Sequence, residues 1–261
     1  MAGGEPDTSL AASDLPAIVR KIRARTPARL LVGRAGAAYR TSTQMELREA
    51  HAAARDAVRA VLDLEAAFGT EFVNQWRLFV VSTRAATKDE YLLRPDLGRR
   101  FSDRARAELK ERCSRGNDLQ IAIGDGLSVP AVSTQVPPLL PRICERARAR
   151  GWVVGQTFVV RHCRVGILNE IGELLTPQVA VLLIGERPGL ATAESLSVYM
   201  AYRPCASHSD ANRNLVSNIH ARGLDPEQAA IRILNLAAHM MKLGASGCHL
   251  KEDFPPRLSD C

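Results

Sequence analysis

The stretch LQIAIGDGLS, residues 119–128, decides the class of fold. Its first five residues are a short apolar run typical of a buried strand, and the glycines that follow permit a tight turn. Similar runs occur in WVVGQTFVV (152–160), VAVLLIG (179–185) and SLSVYMAY (195–202). Continuous apolar runs of this kind are typical of parallel strands, which are covered on both faces.

Helical segments separate these runs. The spacing predicts a helix over about 137–150, with prolines confined to its first turn, and a shorter helix over about 169–175. A last helix should begin after Asp225, which has the properties of an N-cap, and end before Gly244. Strands that alternate with helices predict an α/β fold with a Rossmann-like parallel sheet wrapped by helices.

The region before residue 119 has a different pattern. Thr43 and Glu46 have capping-box spacing and predict a helix that begins near Thr43. Residues 76–81 suit a strand, and Ser102 precedes a polar helix. We therefore divide the chain into a flexible tail (1–25), a mainly helical N-terminal region (26–115), a Rossmann-like domain (116–250) and a C-terminal tail (251–261).

The net charge of +7 comes from one segment. Between Leu15 and Met45 there are seven basic residues and no acidic residue; the remaining chain has 28 basic and 28 acidic residues. The seven are Arg20, Lys21, Arg23, Arg25, Arg29, Arg34 and Arg40. A basic chain suits nucleic acid, but one arginine-rich segment with a single aromatic residue, Tyr39, is weak support. We therefore expect no nucleic-acid partner. The competing hypothesis, which stays open, is a module that binds nucleic acid through this basic segment.

The six cysteines and the hydropathy predict a cytoplasmic protein. No two cysteines form a CxxC pair, which predicts free thiols in a reducing compartment. No apolar run approaches the roughly 20 residues that span a bilayer, and no secretory signal is recognised, so we expect no membrane association.

Two loops that combine glycine with charge follow predicted strands, GDGLS (124–128) and GERPG (185–189). In a parallel sheet, ligands bind beyond the carboxyl ends of the strands, which makes both loops candidates. The dinucleotide fingerprint fails, because Val129 stands at its third glycine position. The sequence has no nucleophile elbow, and no two histidines have the spacing of a helical zinc site. It therefore predicts no catalytic residue and no metal-binding residue. An independent nucleotide- or S-adenosylmethionine-binding enzyme remains an alternative.

Several motifs together resemble the small subunit of ethanolamine ammonia-lyase over about residues 26–250. They are TPARLLVGRAG (26–36), YLLRPDLGRR (91–100), GDGLS (124–128), VVRHCRVGILNEIGELL (159–175), LLIGERPGL (182–190), ESLSVYMAY (194–202) and VSNIH (216–220). Each piece is a weak signal alone, whereas RPDLGRR, DGLS and GERPGL together are specific to this family.

The resemblance implies a subunit of a carbon–nitrogen lyase that uses adenosylcobalamin to convert ethanolamine to acetaldehyde and ammonia by a radical mechanism. The cofactor then supplies the difficult chemistry, and the protein supplies positioning. The resemblance also implies that residues 116–250 are a cobalamin-binding domain at the interface with a large catalytic subunit. The expected assembly is a hexamer of heterodimers, and this chain is expected to be inactive alone.

The resemblance also implies corrinoid contacts at Val165, Glu186 and Val216, with Asp125 and Ser128 as second-tier candidates. It assigns no catalytic and no metal-binding residue to this chain. No histidine lies in an Asp-x-His-x-x-Gly motif, which is consistent with a retained benzimidazole ligand on the corrinoid.

Two further expectations concern location and assembly. Some relatives carry an amphipathic N-terminal extension that directs them to a bacterial microcompartment. The tail before Asp14 lacks that pattern, so we expect a cytoplasmic location. The basic segment is then interpreted as a docking surface for the large subunit.

Overall fold

The computed structural model describes residues 16–25, 30, 32–189, 191–248 and 250. The helices are α1 Ala17–Ala24, α2 Thr41–Arg59, α3 Leu64–Phe68, α4 Thr70–Gln75, α5 Lys88–Leu93, α6 Asp103–Arg112, α7 Val129–Ala149, α8 Ile167–Leu175 and α9 Pro226–Leu243. The strands are β1 Val80–Ser82, β2 Leu119–Gly124, β3 Phe158–Arg161, β4 Val179–Gly185, β5 Leu196–Tyr202 and β6 Asn214–Ile219.

The six strands form one mixed sheet in the order β1-β3-β2-β4-β5-β6. Adjacent strands are parallel among the first four of this order, which are β1, β3, β2 and β4. β5 is antiparallel to both β4 and β6. The α/β class is therefore confirmed, and the expected parallel sheet holds for only part of the structure. A parallel connection needs a crossover of a dozen or more residues, whereas the loop over 186–195 returns the chain directly beside β4.

Apolar side chains alternate between the two faces of the sheet. In β4, Val179, Val181 and Leu183 belong to the core shared with α7 and α9. Ala180 and Leu182 point to the opposite face, where the core is shared with α6 and α8. The complete burial of β4 explains its unbroken apolar sequence.

Local signals predicted two helices well. Asp225 caps α9 by accepting hydrogen bonds from the backbone amides of Glu227 and Gln228, and Gly244 ends that helix in a left-handed conformation. Ser102 caps α6 by accepting a hydrogen bond from the amide of Ala105. Both helices therefore begin where side-chain oxygens satisfy otherwise unpaired amides.

One helix start and one helix cap were predicted wrongly. α7 begins at Val129, earlier than expected, and Pro137, Pro138 and Pro141 lie inside it rather than in its first turn. α2 begins at Thr41 without a side-chain cap, so the capping box expected at Thr43 is not formed. The packing of the long apolar face of α7 on the sheet outweighs the cost of its prolines.

Other elements were missed or shortened. The sequence did not predict α3, α4, α5 or β6. The strand expected over 152–160 is confined to β3, and the residues before it make only an isolated parallel bridge between Val154 and Leu119 of β2. β1, from the N-terminal region, is an edge strand of the same sheet. The proposed domain boundaries remain a prediction.

The expectations of free thiols and of no membrane association can be compared with the described residues. The cysteines at 113, 144, 163, 205 and 248 are free thiols. In the described part of the chain, no helix is long and apolar enough to cross a membrane.

Candidate functional site

A cavity of about 440 Å³ opens at the carboxyl end of the parallel strands. Its walls come from the loop after β2, the loop after β3 and the loop after β4. Ligands of α/β proteins bind in this position, because the loops that leave parallel strands converge there.

The floor of the cavity is one face of the antiparallel pair β5 and β6. Ser197 and Tyr199 of β5 and Leu215 and Ser217 of β6 point to the cavity. The side chains that alternate with them are buried in the core on the other face of the sheet. The mixed edge of the sheet therefore provides the surface on which the site is built.

Glu186 lies at the rim, directly after β4. Its carboxylate accepts hydrogen bonds from the hydroxyls of Ser195, over 3.0 Å, and Ser197. Its amide donates to the carbonyl of Ser195 over 3.1 Å, which fixes the start of the loop against β5. Burial raises the pKa of the nearby Tyr199 hydroxyl, and the negative charge of Glu186 raises it further, so this hydroxyl remains a hydrogen-bond donor.

The loop after β3 is held by Asp125. The Asp125 carboxylate is buried and accepts hydrogen bonds from the amides of His162, over 2.9 Å, and Cys163, over 2.8 Å. His162 has a φ of 58°, an uncommon conformation for a residue with a side chain. Its Nδ1 is 2.9 Å from the carbonyl of Ala85, so contacts on two sides hold this conformation. Asp125 thereby positions the loop that carries Val165.

A buried lysine completes the support of this loop. Lys88 Nζ is 3.7 Å from Asp125 Oδ2, and both side chains are at least nine-tenths buried. Burial lowers the pKa of Lys88, and the charge of Asp125 opposes that effect. Lys88 and Arg164 lie 4.9 and 4.3 Å from the ring centroid of Tyr91. The Tyr91 hydroxyl donates to the carbonyl of Cys163 over 2.9 Å.

The structure brings two of the three expected corrinoid contacts together. Val165 and Glu186 line the same cavity. Val216 is fully buried in the core and pairs with Val198, while its neighbours Leu215 and Ser217 line the cavity. Only the backbone of Val216 therefore lies on the side of the cavity.

The second-tier candidates have internal partners. Asp125 holds the loop after β3, as described above. Ser128 caps α7 by accepting from the amide of Ala131 over 3.2 Å, and it donates to the carbonyl of Ala193. Neither side chain lines the cavity, whereas Gly126 and Leu127 between them do.

Sequence reasoning missed several lining residues. Tyr91, Arg164, Ser197 and Tyr199 line the cavity but were not named as site residues. All four lie inside motifs that carried the family resemblance, YLLRPDLGRR, VVRHCRVGILNEIGELL and ESLSVYMAY. The motifs were thus a usable signal, but the direction of each side chain depends on the fold.

The cavity has the chemistry of a binding site. Apolar side chains of Val165, Ile184 and Leu215 alternate with hydrogen-bonding groups of Glu186 and Tyr199. This mixture suits a largely apolar ligand with polar groups at its edge. In the described residues, no group of three or more His, Cys, Asp or Glu side chains is arranged to hold a metal ion.

Comparison with known proteins identifies the family. The model of the family "Ethanolamine ammonia-lyase light chain (EutC)" matches residues 16–251. The chain is 42% identical over 231 residues to the ethanolamine ammonia-lyase small subunit of Clostridium perfringens, covering 88% of this chain and 76% of that protein. It is 40% identical over 237 residues to the small subunit from Pseudomonas syringae pv. tomato, covering 89% of this chain and 82% of that protein.

The fold and the site define an α/β protein with an open ligand cavity at the carboxyl edge of a mixed sheet. The match over nearly the whole described chain then specifies the family. The chain belongs to the ethanolamine ammonia-lyase light-chain family and is a subunit of that lyase, which confirms the resemblance seen in its motifs.

Proposed function

We propose that this chain is the cobalamin-binding subunit of an adenosylcobalamin-dependent ethanolamine ammonia-lyase and holds the corrinoid at an interface with a large catalytic subunit. The observation that carries the proposal is the shared cavity of Val165 and Glu186, which the family resemblance gave as corrinoid contacts. These residues are distant in sequence, and the fold places them in one cavity. Residues 116–250 would form the Rossmann-like binding domain, whose first three strands are parallel neighbours.

The residues of the cavity fit a corrinoid. A corrin ring is largely apolar and carries amide side chains at its edge. Val165 and Leu215 offer apolar surface, while the carboxylate of Glu186 and the hydroxyl of Tyr199 offer an acceptor and a donor for such amides. Val216 would contribute through its backbone, since its side chain is buried on the opposite face.

In this proposal, bound adenosylcobalamin supplies the radical chemistry that converts ethanolamine to acetaldehyde and ammonia. The residues of this chain bind one side of the corrinoid, fix its orientation and exclude water from that side.

The open cavity supports a role for a second protein surface. Adenosylcobalamin is much larger than a cavity of about 440 Å³, so another surface must cover the remainder. Relatives are named small subunits, and a large catalytic subunit is the proposed partner. The proposed assembly is a hexamer of heterodimers in the cytoplasm.

The function is tested by co-expression with a candidate large subunit. The purified complex should produce acetaldehyde from ethanolamine only when adenosylcobalamin is added. This chain alone should be inactive. Acetaldehyde production by the chain alone, or by the complex without the corrinoid, would overturn the proposal.

The basic segment is the proposed docking surface for the large subunit. Its described helix α1 has no buried residue, so its basic face is open to a partner. Arg29 lies outside the described residues, and Arg25 is exposed. Reversing both charges, with Arg25→Glu and Arg29→Glu, should reduce co-purification with the large subunit. Undiminished co-purification would count against this surface.

A further inference from the structure

The end of β6 contains a bulge that shapes the floor of the cavity at the carboxyl end of the parallel strands. Val216 of β6 pairs with Val198 of β5. Three residues further along β6, Ile219 pairs with Leu196, which is only two residues from Val198. Val216 and Ile219 are both buried in the core, although regular alternation would place them on opposite faces. The extra residue thus lets Ser217 line the cavity while Ile219 returns to the core.

The turn that follows the bulge is closed around His220. Asn218 lies in the bulge with a φ of 63°, and its carbonyl accepts a hydrogen bond from the amide of Leu224 over 2.8 Å. The carbonyl of His220 accepts from the amide of Gly223, also over 2.8 Å. A Cβ added to Gly223 would lie 2.2 Å from the carbonyl oxygen of Asn218 and 2.8 Å from His220 Nε2. His220 is therefore enclosed by its own turn and is only 4% exposed.

The hydrogen bonds of the His220 ring define its protonation state. The amide of Arg222 donates to His220 Nδ1 over 3.2 Å. A backbone amide can only donate, so Nδ1 carries no proton in this turn. Nε2 then carries the single proton of a neutral ring and donates it to Asn218 Oδ1 over 2.8 Å. A second proton, on Nδ1, would face the amide hydrogen of Arg222 and break that bond.

Three charged side chains act on His220. Arg222 belongs to the same turn, Glu186 follows β4 and Glu194 lies just before β5. Burial lowers the pKa of His220 from its ordinary value of 6.5, and the charge of Arg222 lowers it further, while Glu186 and Glu194 oppose both effects. The folded chain therefore takes up this proton at a lower pH than the unfolded chain does.

We propose that His220 is a positioning residue of the cavity, whose neutral ring holds the bulge of β6 and whose protonation releases the bulge and weakens ligand binding. Ser217 directly precedes Asn218, so a change at Asn218 alters the floor of the cavity. Arg222 Nη2 also donates to the carbonyl of Ala191 over 3.2 Å, which joins the same turn to the chain between β4 and β5. The inference rests on the proposed function in so far as the ligand is a corrinoid.

The first experiment needs no ligand and measures the free energy of unfolding of the full-length chain in urea between about pH 5.5 and about pH 8. Because the pKa of His220 is lower in the folded chain, stability should fall as the pH drops below about 6.5. His220→Asn should make this fall shallower, since an Asn side-chain oxygen accepts from the amide two residues on but does not titrate. His239→Asn is the control, because His239 is exposed on α9, and its fall should match the wild type. Equal falls in the wild type and His220→Asn would overturn the proposal.

The second experiment measures cyanocobalamin binding to the complex with the large subunit by spectroscopic titration over the same pH range. The wild-type affinity should be roughly five-fold weaker at about pH 5.5 than at about pH 8, the effect of losing one hydrogen bond. His220→Asn should bind like the wild type at about pH 8 and lose less affinity in acid, because its acceptor does not titrate. His220→Ala lacks the acceptor and should bind weakly at every pH.

The two measurements distinguish a failure of this inference from a failure of the proposed function. If the affinities of the wild type and His220→Asn fall equally in acid, His220 has no positioning role. A complex that binds no cyanocobalamin at any pH would instead refute the proposed function, and the unfolding measurement would then decide whether the neutral ring of His220 holds the turn.

Discussion

Cys163 donates its backbone hydrogen to Asp125 Oδ1 over 2.8 Å, and this bond joins the loop after β2 to the loop after β3. The other carboxylate oxygen accepts from the amide of His162 and lies 3.7 Å from Lys88 Nζ. One buried carboxylate thus satisfies two backbone donors and balances one buried cation. Both loops line the cavity at the carboxyl end of the parallel strands, so Asp125 helps to set the geometry of that cavity without lining it.

Replacing this carboxylate should destabilise the fold. Asp125→Asn removes the charge that balances Lys88 and places an amide group opposite backbone donors. We expect the free energy of unfolding to fall by on the order of 3 kcal/mol, as when one partner of a buried ion pair is lost. Urea unfolding followed by circular dichroism measures the change.

The matched control for Asp125→Asn is Asp89→Asn. Asp89 is 74% exposed and pairs with Arg59 over 3.0 Å, so its loss should cost less than about 1 kcal/mol. Equal unfolding midpoints for the two variants would show that burial of the Asp125 pair has no special effect.

The sequence predicted features that depend on neighbouring residues. The caps of α6 and α9 and the long run of β4 follow from local patterns, and the structure has them at the expected positions. The reversal of β5 was not predicted, because the direction of a strand depends on the length of its connection and on distant pairing. β6 was missed as a strand, because only one face of it packs on the core and its pattern is mixed.

In the candidate site, too, local patterns indicated some features, whereas others depend on distant pairing in the fold. Glycine and charge after β4 made the loop that begins with Gly185 a candidate, and the family resemblance indicated Val165 and Glu186; both of these residues line the cavity. The inward direction of Val216 depends on the register of β6 with β5, which no local pattern reveals. Asp125 was a reasonable candidate ligand from its position after β2. Only the fold shows that backbone amides occupy its carboxylate.

Gly126 should be intolerant of a side chain. It has a φ of 56°, and an added Cβ would lie 2.3 Å from the carbonyl oxygen of Gly185. Gly116 has a φ of 76° with nothing within 4 Å, so Gly116→Ala isolates the cost of the left-handed backbone, about 1 kcal/mol. Gly126→Ala should cost about 1–3 kcal/mol more, because the end of β4 must move. Thermal unfolding compares them; equal losses would contradict the close approach.

Alkaline pH should destabilise the protein through its buried thiols. Burial raises the pKa of Cys144 from 9.0 to about 12 and that of Cys113 to about 11. The unfolded chain loses these protons near pH 9 and the folded chain keeps them. The stability that they contribute is therefore fully present below pH 9 and is lost as the pH rises toward the folded values. The expected fall is up to about 1.4 kcal/mol per pH unit for each thiol.

Urea titrations under reducing conditions between about pH 8 and about pH 10.5 test this dependence. Cys144→Ala removes one titrating group and should make the fall in unfolding free energy shallower above pH 9. Cys248→Ala is the control, because that thiol is exposed, and its slope should match the wild type. An unchanged slope in Cys144→Ala would exclude Cys144 as a source of the pH dependence.

Glu186 should contribute directly to corrinoid affinity. Glu186→Ala removes an acceptor at the rim of the cavity and leaves the hydroxyls of Ser195 and Ser197 without their shared partner. We expect cyanocobalamin to bind the complex with the large subunit roughly ten-fold more weakly, which corresponds to the loss of one hydrogen bond to a charged group. Glu194→Ala is the control, since Glu194 is exposed and does not line the cavity. Spectroscopic titration gives both affinities, and an affinity in Glu186→Ala equal to that of the control would remove Glu186 from the binding site.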